Sequence, residues 1–202
     1  TTKLIDSDTY APGRAITYTY DSFGRVDTIT YPEENYTKYF YDSRGNVTET
    51  RQVPKPSSGT ATIITYAAFP SVCDNIVKCN KPESTTDAKG NVTEYTYDDT
   101  HGGILTVKLP KATASANNSV TTYTYTPRQA YFKQSANAIS ASGFPTFKPT
   151  GTSACQTMAS CVGSPNEVRT TVDYGPQVAG TANNLLPVSS SSGSGNGSLT
   201  AT

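Results

Sequence analysis

Tyr18-Thr19-Tyr20-Asp21-Ser22-Phe23-Gly24-Arg25-Val26 recurs as Tyr39-Phe40-Tyr41-Asp42-Ser43-Arg44-Gly45-Asn46-Val47, with both the aspartates and the glycines 21 positions apart. A third copy, Asp87-Ala88-Lys89-Gly90-Asn91-Val92, has Thr86 where the tyrosine stood, and its return strand runs into another pair, Tyr97-Asp98, with Gly102 close behind. Self-similarity at a period near 20 residues marks a repeat architecture. In each copy Asp opens a four-residue turn and Gly closes it. Asp accepts a hydrogen bond from the backbone two residues on, and Gly supplies the left-handed conformation. A type I turn followed by such a residue joins antiparallel strands. The flanks, Tyr-Thr-Tyr before the turn and Val26 to Tyr31 or Val47 to Thr50 after it, are β-branched and aromatic, which suits a pleated, half-buried surface. The fold expected is all-β, an array of antiparallel hairpins paired sideways, because a lone hairpin is marginal in water. Gly24→Val or Gly45→Val is expected to disrupt the sheet, and Asp42→Asn, which keeps an acceptor, to be mild.

The pattern Tyr-Asp-x-x-Gly-Arg/Asn-Val resembles the YD repeat of the RHS family of large exported proteins. The series Cys79-Asn80-Lys81-Pro82, Thr86 to Thr93, Tyr95-Thr96-Tyr97-Asp98, His101-Gly102-Gly103, Thr122-Tyr123-Thr124-Tyr125 and Asn183-Asn184-Leu185-Leu186 follows in an order similar to bacterial RHS proteins, over roughly residues 10–186. The resemblance implies an extended or spiralling hairpin sheet. Members of the family form β-hairpin shells or spirals, some enclosing a toxic C-terminal domain. The family's autoproteolytic Asp-Pro-x-Gly motif has no counterpart here, and no toxin segment is recognisable.

Hydrophobic residues make up 35% of the 202, with no Trp and 14 Tyr. That share is low for a globular chain and suits a thin sheet-type core. The formal net charge is zero and the pI about 6.5, so no basic field exists to hold nucleic acid or an anionic membrane. No apolar run approaches the ~20 residues of a membrane span. The chain opens at Thr1 with neither Met nor a signal segment, which reads as a mature chain or one excised from something longer.

The cysteines fall in two pairs of equal spacing, Cys73/Cys79 and Cys155/Cys161. Three pairings are open in principle. The two local ones are expected, because each pins a short loop that lacks repeat character. Disulfides point to an oxidising setting, hence to an extracellular or cell-surface location. A metal site would need His nearby or Cys-x-x-Cys pairs, and neither is present.

Taken in order, residues 1–125 read as the hairpin array, with a turn at Pro12-Gly13, a loop at Glu33-Glu34-Asn35 and a cysteine loop at 67–86. Residues 126–167 lose the periodicity and read as an irregular insertion pinned by Cys155 and Cys161. Residues 168–188 read as the final strand region, and 189–202 as a Ser/Gly tail. Such a tail normally behaves as a flexible linker; here it is expected to join a neighbouring sheet edge or a larger ordered assembly.

No candidate chemistry outweighs a structural role. His101, the single histidine, reads as decoration of a hairpin tip, with no nucleophile elbow or Cys/His arrangement to serve. Asp98-Asp99, with Asp87 and Glu94, lacks the ligand series of a calcium loop. No catalytic residue, metal site or cofactor is expected. Asn35, Asn46, Asn91, Asn117 and Asn196 match the glycosylation acceptor pattern, although Asn46 and Asn91 directly follow turn glycines. The residues expected to matter are those of the turns: Tyr20, Asp21, Gly24 and Arg25; Tyr41, Asp42, Gly45 and Asn46; Asp87, Gly90 and Asn91; Tyr97, Asp98 and Gly102. Two classes of function remain open. One is a non-catalytic structural segment, pairing with copies of itself or with further repeats of a longer polypeptide into a shell wall or an extracellular filament. The other is a cell-surface module that binds glycans on Tyr-rich sheet faces.

Overall fold

The computed structural model describes residues 2–4, 15–135, 138–155, 161–183, 185–197 and 200–201. The Pro12-Gly13 turn, Asn184 and Ser198 (the third residue of the Asn196 acceptor pattern) lie outside them. The described residues are all-β and contain no helix. The chain divides into two compact units, Thr1–Thr93 and Glu94–Thr202.

The first unit is a meander. β1 (Thr2–Leu4), β2 (Ile16–Tyr20), β3 (Val26–Thr30), β4 (Tyr36–Tyr41), β5 (Val47–Val53), β6 (Ile63–Ala68) and β7 (Ser84–Thr86) each pair antiparallel with the next. Thr28, Lys38, Arg51 and Ile64 stand opposite one another along a row. On that face Lys38 lies 3.7 Å from Asp27, Arg51 pairs with Glu49, and both cations approach the Phe40 ring at 5.5 and 4.7 Å. The other face carries Tyr18 opposite Ile29, and Ile29 opposite Thr37. Among the described residues of this unit only Thr37 and Cys79 are buried. The sheet is one layer thick, and its side chains are half-covered by their own neighbours.

The second unit is entered along β8 (Val92–Tyr97), which pairs with β9 (Ile104–Lys108). β9 pairs in turn with the long β10 (Val120–Arg128). A side hairpin, β11 (Tyr131–Ser135) with β12 (Ala138–Ala141), precedes β13 (Thr146–Cys155), which returns along the whole of β10. β14 (Glu167–Asp173), β15 (Ser189–Ser194) and β16 (Thr200–Ala201) complete the order.

Two sequence expectations are corrected here. Residues 126–167 are not an irregular insertion, since β13 is an inner strand hydrogen-bonded on both sides. It escapes a reading by composition because it contains Pro149 and Gly151. Pro149 is tolerated where the register shifts opposite Thr124/Tyr125, a bulge position that spares the missing N–H. Gly151 is needed because a Cβ there would lie 2.8 Å from the Thr170 carbonyl oxygen. Nor do residues 168–188 hold the final strand. The Ser/Gly stretch adds β15 to β14 in register from Val168↔Ser194 to Asp173↔Ser189. Hydroxyls support the pairing, Thr171 with Ser191 at 2.7 Å and Thr170 with Ser192 at 3.4 Å. The local cysteine pairings are as expected, Cys73–Cys79 and Cys155–Cys161.

Candidate functional site

The turns share one hydrogen-bond plan. At Asp42, the backbone N–H donates to the Asn46 carbonyl at 3.0 Å and the carbonyl accepts from the Gly45 N–H at 3.1 Å. Oδ1 accepts the N–H groups of Arg44 and Asn46, both at 2.9 Å, and Oδ2 accepts the Asn46 side-chain amide at 2.8 Å. Asp87 repeats this with Gly90, Lys89 and Asn91. Asp21 repeats it with Gly24 and Phe23, but the Arg25 guanidinium takes Oδ2, its Nε donating at 2.6 Å. The alternation of Arg and Asn after the turn glycine therefore has one meaning: both are donors that reach the second carboxylate oxygen. Gly24, Gly45 and Gly90 have φ of 79°, 90° and 83°, the left-handed region where a side chain is costly.

This plan changes the expectation for Asp42→Asn. The substitution keeps an acceptor at Oδ1 but sets an NH2 group against the Asn46 amide, donor against donor. We expect a loss of about 1–2 kcal/mol, not a mild effect, read as a lowered denaturation midpoint; Asn46→Asp added to the variant should recover part of it by restoring an acceptor.

Asp98 closes a turn one residue longer, with its N–H donating to Gly103 and its carbonyl accepting from Gly102, at 2.9 and 3.0 Å. His101 does not decorate the tip. Its ring is folded back between Tyr125 and Phe147, with centroid distances of 4.7 and 4.3 Å. Nδ1 accepts the Gly103 N–H at 3.0 Å, and Nε2 lies 3.4 Å from Asp98 Oδ1. This His/Asp pair is packed against rings. The grooves along Tyr31, Tyr36 and Gln52, along Thr50, Tyr66 and Thr86, and beside Tyr174 and Leu186 do not include it.

All of these carboxyls are held below the ordinary aspartate range, for related reasons. At Asp87 the Asn91 side-chain amide is the main influence, followed by the Asn91 N–H. At Asp98 it is the His101 N–H, then that of Thr100. At Asp21 and Asp42 burial is the largest single influence and pushes upward. The combined hydrogen bonds outweigh it: from the Arg25 N–H, its guanidinium and Phe23 at Asp21, and from the Asn46 side chain and N–H at Asp42. A folded-state value below the unfolded one, about 3.9, means that the unfolded chain binds more protons in that interval. The contribution is thus complete above the unfolded value and lost as pH falls through the folded one. A denaturation midpoint flat above about pH 5 and falling steeply below about pH 4 is expected; a midpoint independent of pH down to about 2 would contradict it.

Ties between neighbouring hairpins were not legible in the sequence. The Tyr41 hydroxyl donates to the Val26 carbonyl at 2.7 Å, across from the preceding turn. Burial pushes that hydroxyl's pKa up and keeps it a donor. Arg25 lies over the Tyr41 ring at 4.4 Å and donates to the Asp42 carbonyl at 3.2 Å. The same tie recurs in the second unit, from Tyr125 to Ile104 at 3.1 Å and from Tyr174 to Pro149 at 3.0 Å. Tyr20, by contrast, is exposed, and Tyr97 is half-buried.

Arg44 makes a different tie. Its guanidinium donates to the carbonyls of Pro70, Ser71 (3.3 Å) and Cys79 (3.3 Å), and its Nε to Asn80 Oδ1 at 3.3 Å. The Asn46 amide also reaches Asn80 Oδ1, at 3.3 Å. The first cysteine loop is thereby clamped onto the second repeat turn.

Of the acceptor-pattern asparagines, Asn46 and Asn91 have their amides engaged by Asp42 and Asp87. Asn35 closes a further turn of the same type, in which Glu34, at φ 65°, stands in the glycine position. Asn117 is exposed between β9 and β10, and Asn196 accepts the Ser194 hydroxyl at 2.9 Å. Among the described residues no group of three or more His, Cys, Asp or Glu could hold a metal ion, and no helix is long and apolar enough to cross a membrane.

No family model and no curated protein matches the chain. Among solved structures it is similar to a chain in the crystal structure of TcdB2-TccC3-Cdc42, with 13% identity and a TM-score of 0.41 over 80% of this chain and 10% of that one. It is also similar to a chain in the crystal structure of TcdB2-TccC3 without the hypervariable C-terminal region, with 13% identity and a TM-score of 0.40 over 84% and 10%. The chain spans about a tenth of the length of these solved chains.

Proposed function

We propose that the chain is a non-catalytic structural β-repeat segment of an exported RHS-type protein. Its hairpin sheet is continued by further repeats of a longer polypeptide, or by other copies, into a shell wall or an extracellular filament. The observation that carries this reading is the burial of the first unit, in which Thr37 and Cys79 alone are buried among the described residues. A sheet that covers neither of its faces needs neighbours to complete it. The polar side chains that converge chemically, Asp with Arg or Asn, are consumed in closing turns, and the His101/Asp98 pair faces packed rings. Export is supported by the two disulfides.

Negative-stain microscopy of the native material tests the reading. Hollow particles from a far longer polypeptide would support the shell and reject the filament, and uniform filaments would do the reverse. Dispersed single chains, with neither, would overturn a structural role.

A further inference from the structure

The two disulfides have the same sequence separation of 6 and opposite surroundings. Cys155 and Cys161 are both buried, 4% and 5% exposed, and Cys155 sits in an inner strand between Val120 and Glu167. In the other pair Cys79 is 1% exposed, but Cys73 is an exposed residue in the exposed run Ser71 to Asp74, with Val72 at 69% and, just beyond the run, Ile76 at 80%. Arg44 and Asn46 hold the two ends that flank the loop this bond closes, at Pro70 and Ser71 on one side and at Cys79 and Asn80 on the other.

We propose that Cys73–Cys79 is a thiol-exchange site and the latch of the second repeat turn, opened by low-molecular-weight thiols while Cys155–Cys161 stays closed. An external thiolate attacks Cys73 Sγ, the Sγ–Sγ bond breaks, and Cys79 departs as a thiolate. Arg44 holds the backbone carbonyl of the residue that leaves, at 3.3 Å, so the opened Cys79 stays tied to the turn only through that bond. A second thiol then displaces Cys73. The two attacking thiols, from one dithiol or from two molecules, are oxidised to a disulfide, and two electrons and two protons end on the two cysteines. Access decides which sulfur is attacked, and here only Cys73 offers it. Once the bond is open, the carbonyls of Ser71 and Cys79 and the Asn80 side chain are no longer held in one array. Arg44 and Asn46 lose their shared partner, and the clamp on the Asp42 turn relaxes.

The test uses the intact chain under native conditions. It is treated with graded dithiothreitol, blocked with iodoacetamide, then unfolded, fully reduced and labelled with N-ethylmaleimide, and the peptides are read by mass spectrometry. Cys73 and Cys79 should take the first label about tenfold faster, or more, than Cys155 and Cys161. Equal rates, or prior opening of Cys155–Cys161, would overturn the exchange site. In the same partly reduced sample, amide exchange should rise at Gly45 and Asn46 and stay unchanged at Thr100 and Gly102 of the Asp98 turn. An opened Cys73–Cys79 bond with no change at Gly45 and Asn46 would overturn the latch.

Discussion

Gly45→Val is expected to unfold the second hairpin and to cost the first unit about 2–3 kcal/mol. The backbone at Gly45 has φ of 90°, and an added Cβ would already stand 3.7 Å from Arg25 Nη1 and 4.0 Å from its Cδ. The Cβ alone fits. Valine adds two methyl groups beyond that Cβ, and the side chain nearest to them is that of Arg25, which lies over Tyr41 and is bonded to Asp42. The protein itself provides the control, since Glu34 occupies the same turn position at φ 65°. An unbranched L side chain is therefore bearable there, and the damage expected from valine is due to branching and to the loss of the Arg25 tie. Gly45→Asn should cost less than about 1 kcal/mol, because Asn enters the left-handed region readily. Chemical denaturation of the two variants side by side checks this, and equal midpoints would remove the explanation.

Replacement of both Cys155 and Cys161 by alanine is the second large expected effect, a loss of about 2–3 kcal/mol from loop-closure entropy alone. For a unit of this size that corresponds to a fall of roughly 10 °C or more in Tm. These two sulfurs are among the few buried side chains of the second unit, with Tyr174, Leu185 and Glu167. Glu167 lies opposite Cys155 and accepts the Gly163 N–H at 2.7 Å, and its carbonyl receives Gly195 at 3.1 Å. Loss of the bridge should therefore loosen the attachment of β15 as well as β13. Hydrogen exchange along Ser189–Ser194 is the measurement to make. If β15 kept its protection while β13 lost it, the bridge would be a local staple only.

The turns were legible because Asp and Gly have fixed positional duties, one as acceptor and one as left-handed residue. What failed to show was structure resting on something other than side-chain preference. The loop at Glu33-Glu34-Asn35 was legible, but not that Glu34 takes the left-handed position that Gly holds in the other turns. β13 is interrupted by Pro149 and Gly151, each of them fitted to a bulge or a close approach that only the neighbouring strands create. β15 is nearly all Ser and Gly; its joining a sheet edge was expected, but not which edge, that of β14, because the choice rests on backbone hydrogen bonds. His101 read as a surface residue because the rings that enclose it, Tyr125 and Phe147, are distant in sequence. The ties of Arg25, Tyr41 and Arg44 end on backbone carbonyls, and a carbonyl leaves no trace in composition.

The tyrosine ties run in one direction along the chain. Tyr41, Tyr125 and Tyr174 each reach back to a carbonyl that precedes them, Val26, Ile104 or Pro149. In the first unit every strand also pairs with its predecessor in sequence. A chain emerging N-terminus first from the ribosome would meet each acceptor already in place when its donor appears. Contacts between sequence neighbours are also the ones that form fastest, so the sheet of the first unit can be laid down strand by strand during synthesis, without waiting for the residues that follow.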